Sequence, residues 1–325
     1  MKKLILTLLF LLMLAGCAAP SKPEAEYVLT YAENQPQNYP SSLGGERFAE
    51  LVRERTDGKV LIQVKYAGEY GTDEEVLEQM RFGGIDFSRV SLAVLADEVP
   101  VLNVLQMPFL YTDGDHMWRV LDSELGQELL RATGETGVIG MSWYDAGARS
   151  IYSTTPIRCL EDLAGLQVRT QNSGLAMDMV ELLGAQPVYY DHNDVHYAFE
   201  TYRIDAAENN WPVYQYMSHY LVAKYYTVLE HTRIPDIQIV SAVTWEVLPE
   251  EYREIILQCA AESAQYQRNL WIRNDIFARA AVIDSGCEVI FLDPEQKQAF
   301  VDAVEPLYRQ YCKEHLDLIE KIRNG

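Results

Sequence analysis

Apolar residues recur with period two in some stretches of this chain and near period 3.6 in others, and the two patterns take turns. Tyr27 to Ala32 is a β-rich run, followed by a polar turn that holds Pro36 and Pro40. Phe48, Leu51 and Val52 then recur at helical spacing until Thr56-Asp57-Gly58 breaks the pattern. Val60 to Val64 predicts the next strand. Thr72-Asp73-Glu74-Glu75 predicts a helix start, because Thr72 and Glu75 can each satisfy the other's free backbone donor. Val76, Leu77 and Met80 mark the buried face of that helix, Gly83-Gly84 ends it, and Ile85 to Val90 returns as a strand. Such alternation predicts a parallel sheet with helices packed on it. Ligands of such sheets bind at the carboxyl ends of the strands. The turn after Ala32, and residues Arg89 and Ser91, fall at those ends.

The pattern repeats further on. Val138 to Trp143 predicts a strand that crosses toward a second domain, and Leu166 to Val168 a strand within it. Leu175 to Leu183 and Asp194 to Tyr202 predict helices. Pro249 suits the first position of a very long helix reaching about Ser285, roughly 55 Å at 1.5 Å per residue. That exceeds one small domain and predicts a strut touching both. A last helix is predicted from Pro294 to about Arg323.

The amino-terminal stretch reads as a targeting signal. Lys2-Lys3 precede an apolar run, Leu4 to Leu14, interrupted only by Thr7 and too short to span a bilayer comfortably. Leu14-Ala15-Gly16-Cys17 resembles a bacterial lipoprotein cleavage box, which makes Cys17 the expected first mature residue and site of lipidation. Ala18 to Glu26 reads as a polar tether. The net charge is −21, and 27 basic residues, less the two signal lysines, face 48 acidic ones. Nucleic acid is therefore excluded as a partner, since phosphate contacts dominate such affinity. A local arginine cluster can still rule a cleft, because screening cuts off exposed charges beyond ~8 Å at physiological salt. Cys159, Cys259, Cys287 and Cys312 remain, with three full pairings open to them, and no Cys-x-x-Cys occurs.

Two segments carry candidate chemistry. Gly165-Leu166-Gln167-Val168-Arg169 sets an arginine at the end of an apolar strand, where a planar guanidinium can grip a carboxylate through two parallel bonds. Ala207-Glu208-Asn209-Asn210-Trp211-Pro212 sets two amides, able to donate to and accept from hydroxyls, beside an aromatic ring. Arg149, just past the crossing strand, and Arg89 are further candidates. Each arginine could instead be an ordinary ion pair, and Asn209-Asn210 an ordinary turn. His192 and His196 have metal-ligand spacing, but Asn193 stands where a zinc protease needs glutamate, so no metal site is expected. Gly-x-Ser-x-Gly, the phosphate-binding Gly-Lys-Ser/Thr loop and Gly-x-Gly-x-x-Gly are missing, so no cofactor is expected and the chain reads as a binder, not an enzyme.

In sequence order, several short motifs together resemble the solute-binding proteins of TRAP transporters (tripartite, ATP-independent, cation-coupled importers). They are Ala32-Glu33 followed by Tyr39-Pro40, Leu77-Glu78-Gln79 with Arg81-Phe82-Gly83, Met107-Pro108-Phe109-Leu110, Gly147-Ala148-Arg149-Ser150, Asp162 to Arg169, Leu183-Gly184-Ala185, and Ala207 to Pro212. The resemblance covers roughly Tyr27 to Asp293. It implies that Arg169 clamps the ligand carboxylate, Arg149 assists, and Asn209 contacts the ligand. Asn210, Asp86-Phe87-Ser88-Arg89-Val90 and the Tyr39-Pro40 turn are similar to the branch that binds uronates and related sugar acids, which implies contacts from Arg89, Asn210, Gln35 and Tyr39. Ser91, His192 and Trp211 complete the expected pocket. Departures from the family's common pattern touch the pocket wall: Gln35 for a histidine, His192 for an aromatic residue, Asp194 and His196 for a glutamate and a tyrosine, and Tyr202 and Ala206 for glycines.

The expected architecture is α/β, a two-domain periplasmic-binding-protein-like fold with a ligand cleft between domains and a long helix spanning both. Residues 27–145 with 235–274 form the first expected domain, and 146–234 with 275–325 the second. The expected function is capture of a sugar acid such as glucuronate or galacturonate by cleft closure, and its delivery to TRAP membrane subunits from a lipid-anchored position outside the cytoplasm. The alternatives are a C4-dicarboxylate or other organic-acid binder and a subunit that presents ligand to a sensor.

Overall fold

The computed structural model describes residues 25–325, so the predicted signal segment, Cys17 and most of the tether lie outside it. Among the described residues eleven strands form two sheets, each the centre of one lobe. In chain order the strands are β1 (Tyr27–Ala32), β2 (Val60–Lys65), β3 (Phe87–Ser91), β4 (Val138–Tyr144), β5 (Arg149–Ser153), β6 (Gln167–Thr170), β7 (Gln186–Tyr189), β8 (Ala206–Asn209), β9 (Tyr225–Thr232), β10 (Asp236–Ser241) and β11 (Glu288–Phe291). The first sheet has the order β2-β1-β3-β10-β4, the second β11-β9-β5-β8-β6-β7. β1 runs parallel to β2 and β3, as the alternation predicts. β10 instead enters antiparallel between β3 and β4, so the sheet is mixed. It comes back from the other lobe, and a returning strand arrives head-down.

Helix α1 (Pro40–Arg55) packs Phe48, Leu51 and Val52 inward, and α2 (Asp73–Arg81) starts at the predicted capping box, with both reciprocal bonds made. Gly44 on α1 lets the helix lie close to Tyr144 and Gln267, where a Cβ would come within 2.7 and 2.9 Å. In the second lobe α3 (Gly174–Leu182) follows β6 and α4 (Trp211–Tyr216) follows β8. The helix predicted over 194–202 is shorter, Val195–Glu200, after a 3₁₀ turn at His192–Asp194.

The long helix α5 runs Glu250–Asp284, roughly 52 Å at 1.5 Å per residue. Pro249 is its N-cap rather than its first turn. Tyr252, Ile256, Cys259 and Ala260 pack in the core of the first lobe, Ala278 and Val282 in that of the second. The chain also crosses between lobes at 145–148 and 233–235. At the first crossing the buried Gln267 amide accepts from Asp145 N–H (2.9 Å) and donates to Asp145 C=O (2.8 Å). Gly147 turns there with φ +66°, and a Cβ would lie 2.8 Å from the Trp271 indole nitrogen.

The last predicted helix is three: α6 (Pro294–Val304), α7 (Pro306–Tyr311) and α8 (Leu316–Arg323). Pro306 has no N–H to continue α6, which breaks it there. The tail assigned by pattern to the second domain returns to the first. Ile319 and Ile322 pack in the core that holds Met117 and Leu121, and His116 Nε2 donates to the Ile322 carbonyl at 2.6 Å. All four cysteines of the described residues are free. No helix among the described residues is long and apolar enough to cross a membrane.

Candidate ligand cleft

The two lobes face each other across a cleft of about 910 Å³, its open mouth included. The first lobe brings to it Asn34, Gln35 and Tyr39 from the turn after β1, Asp73 at the start of α2, Arg89 and Ser91 on β3, and Asp236 at the start of β10. The second brings Arg149 on β5, Arg169 on β6, Asp191 and His192 beyond β7, Asn209 ending β8 and Asn210 capping α4. The carboxyl ends of β1, β3, β6 and β8 thus supply much of the wall.

The three arginines differ in what they already hold. Arg89 is buried and bonds the Glu33 carboxylate, the Asn34 amide oxygen and, at 3.3 Å, Asp236. Arg149 is buried and forks onto Glu208, donating from Nη2 to Oε1 at 2.7 Å and from Nε to the other oxygen. Burial alone would raise Glu208, yet the Arg149 guanidinium and His231 overturn that and hold it at about 2. Both arginines, expected as ligand contacts, are therefore ion-paired within the protein. Arg169 is 4 % exposed, and among the described residues its one side-chain bond runs from Nε to the Tyr190 carbonyl at 2.9 Å. Among the described residues no carboxylate stands within ion-pair distance of it. Burial lowers its pKa, and Arg149 nearby adds to that.

The amides are also unequal. Asn210 uses its oxygen to cap α4 at Val213 N–H (2.8 Å) and one hydrogen of its NH₂ to bond the Ala146 carbonyl (2.9 Å). Asn209 accepts through its oxygen from Asn210 N–H and Arg149, which turns its NH₂ group to the cleft. Gln35 reaches across to His192, Nε2 to Nε2 at 3.3 Å, and its own oxygen is buried without a partner. Burial and the three arginines lower His192 to about 3, so it is neutral and can accept that bond. Tyr39 packs edge-on against Tyr216 and Trp271.

Trp211 does not line this cleft. It stacks on Tyr226, centroids 3.5 Å apart, and borders a separate crevice with Trp118 and Trp271. Its neighbours in sequence face the ligand side, but Trp211 opens α4 and turns into the lobe's core. Asn34, Asp73 and Asp236 also line the cleft, and no sequence motif marks them as ligand contacts. Asp73 was visible only as part of a cap. His196 stands apart from the cleft, and no cluster of metal ligands occurs among the described residues.

A two-lobed α/β fold with a buried, unpaired cation facing the gap defines a cleft-type solute-binding protein. The chain belongs to the family described as bacterial extracellular solute-binding protein, family 7, which it matches over residues 31–315. A solute-binding protein of Chromohalobacter salexigens is 34% identical over 284 residues, 87% of this chain and 84% of that one. The TRAP periplasmic solute-binding protein of Bradyrhizobium sp. BTAi1, solved with α/β-D-galacturonate, superposes with a TM-score of 0.89 at 33% identity, covering 91% of this chain and 99% of that one. That of Sulfurospirillum deleyianum, solved with succinate, gives 0.86 at 27% identity, covering 92% and 99%.

Proposed function

We propose that this protein captures a uronate such as galacturonate or glucuronate in the cleft and hands it to TRAP membrane subunits. The carrying observation is Arg169: a guanidinium withdrawn from water, with no acidic partner, on a rigid strand at the cleft wall. Such a group is stabilised by an incoming carboxylate, and a bidentate pair would also fix the ligand's orientation. The galacturonate-bound neighbour supports the ligand class. The Asn209 NH₂ and the unpartnered Gln35 oxygen are suited to sugar hydroxyls. Arg149 and Arg89 act through the groups they hold: Arg149 orients Asn209, and Arg89 anchors Asp236.

Binding is read as capture without catalysis, with closure by a hinge at the two crossings. We assign the lobes as 27–145 with 235–274 and 146–234 with 275–312, the remaining tail returning to the first. Cys17, as a lipid-bearing residue, would anchor the chain outside the cytoplasm.

Titration calorimetry tests the reading. Losing one partner of a buried pair costs about 3–5 kcal/mol, so Arg169→Ala should weaken uronate binding more than a hundredfold, at about 1.4 kcal/mol per decade. Arg169→Lys should also weaken it, since the planar fork is lost. Uronate binding by Arg169→Ala as tight as wild type overturns the assignment. The succinate-bound neighbour favours a second reading, a dicarboxylate ligand, and the same titration with succinate decides between them.

A further inference from the structure

The two walls of the cleft differ in charge. On the first-lobe wall one guanidinium, Arg89, stands among four carboxylates: Glu33, Asp73, Glu74 and Asp236. On the second-lobe wall Arg149 and Arg169 stand with Glu208 and Asp191. Glu33 is spent on Arg89, whereas Asp73 and Asp236 border the cleft with acceptor capacity left over. Asp73 accepts one bond on each oxygen, from Asn34 (2.7 Å) and from Ser91 N–H (3.1 Å). Asp236 stands 3.3 Å from Arg89 Nη1 through Oδ2, and no hydrogen bond to its carboxylate is made among the described residues. A carboxylate oxygen can accept about two hydrogen bonds, so each acid can take more from a ligand.

We propose that Asp73 and Asp236 set the ligand class: they accept hydrogen bonds from ligand hydroxyls and exclude a second carboxylate. The cleft then takes a hydroxylated monocarboxylate and rejects dicarboxylates. This rests on the reading that Arg169 holds the ligand's single carboxylate.

The chemistry runs in one direction. A hydroxyl donates to a carboxylate and gains a charge-assisted bond. A second ligand carboxylate has no proton to donate and would sit, out of water, against two like charges. Arg89 offers it little, because its charge is already paired with Glu33 and stands 3.3 Å from Asp236, with Nε and Nη2 spent on Glu33 and Asn34. The wall is near its limit for negative charge. Burial pushes Asp236 up to about 7 and Asp73 up to about 6, against the pull of Arg89. A further anion there would force a proton onto one of the crowded carboxyls, at a cost that grows as the pH rises.

The test is calorimetric titration of the full chain with D-galacturonate, D-galactonate, galactarate and succinate. Galactarate keeps a uronate-like hydroxyl chain but carries a carboxylate at both ends. Wild type should bind galacturonate at least tenfold tighter than galactarate or succinate. Asp73→Asn and Asp236→Asn, near-isosteric changes checked for folding by melting temperature, should each narrow that ratio severalfold. Galactarate binding within tenfold of galacturonate, or an unchanged ratio in both variants, overturns the proposal. If galactonate binds and no uronate does, with diacids still rejected, the uronate reading falls and this one stands. If galacturonate and galactarate bind alike and Arg169→Ala abolishes both, the clamp stands and this proposal falls. Absence of preference for any monoacid also overturns it.

Discussion

Arg89, Arg149 and Arg169 look alike in sequence, and their neighbours make them different groups. Arg149 and Glu208 satisfy each other, so both stay charged while buried. Arg169 is left with a carbonyl and a gap. The acids opposite titrate in the working range, Asp73 at about 6 and Asp236 at about 7, both raised first by burial. The groups that face them are Arg89 on β3, Glu33 and Asn34 after β1, Glu74 on α2, the Ser91 N–H, and Arg149 on β5. Raising the pH from 6 to 8 removes their protons. Ionised, they accept hydroxyl protons better and repel a second carboxylate more. The preference for galacturonate over galactarate should therefore widen severalfold between pH 6 and pH 8, and the Asp73→Asn/Asp236→Asn double variant should flatten the trend. Titrations at the two pH values, in matched salt, measure it. His192, held neutral by burial and the arginines, contributes no charge over this range.

At the scale of elements, the joint between α5 and the first crossing is the most exacting contact. Gln267 meets both backbone groups of Asp145, and Asp145 in turn accepts from Trp118 Nε1 and Gly147 N–H. Gln267→Leu strands one buried donor and one buried acceptor, each costing about 1–3 kcal/mol. Thermal unfolding should show a melting temperature several degrees lower. Elements with complete signals were legible: β1, α1, β2, α2 and β3 each combine a clear period with a breaker or cap. β7, β8 and β11 are four residues each and too short for a period to register. All six residues of β10 are buried, so no alternation marks it. Arg169 was legible because Gly165 and an apolar strand fix its setting. The partners of Arg149 and Arg89 were not, since Glu208 and Glu33 lie 59 and 56 residues away. Trp211 misled because adjacency to two cleft asparagines says nothing of which way the first turn of α4 points.

On the scale of the whole molecule, the acidic surplus and the cationic clamp are compatible because the clamp is enclosed while the surplus is spread over the surface. Cys259, Cys287 and Cys312 are buried in three different cores, and Cys159 is partly exposed. A reductant should therefore leave the melting temperature unchanged, as scanning calorimetry with and without dithiothreitol would register. A fall of several degrees would reveal a disulfide. The uninterrupted α5 constrains any movement of the lobes. One end is held by Tyr252, Ile256, Cys259 and Ala260, the other by Ala278 and Val282. The two cores are thus joined through one continuous helix as well as through the two crossings.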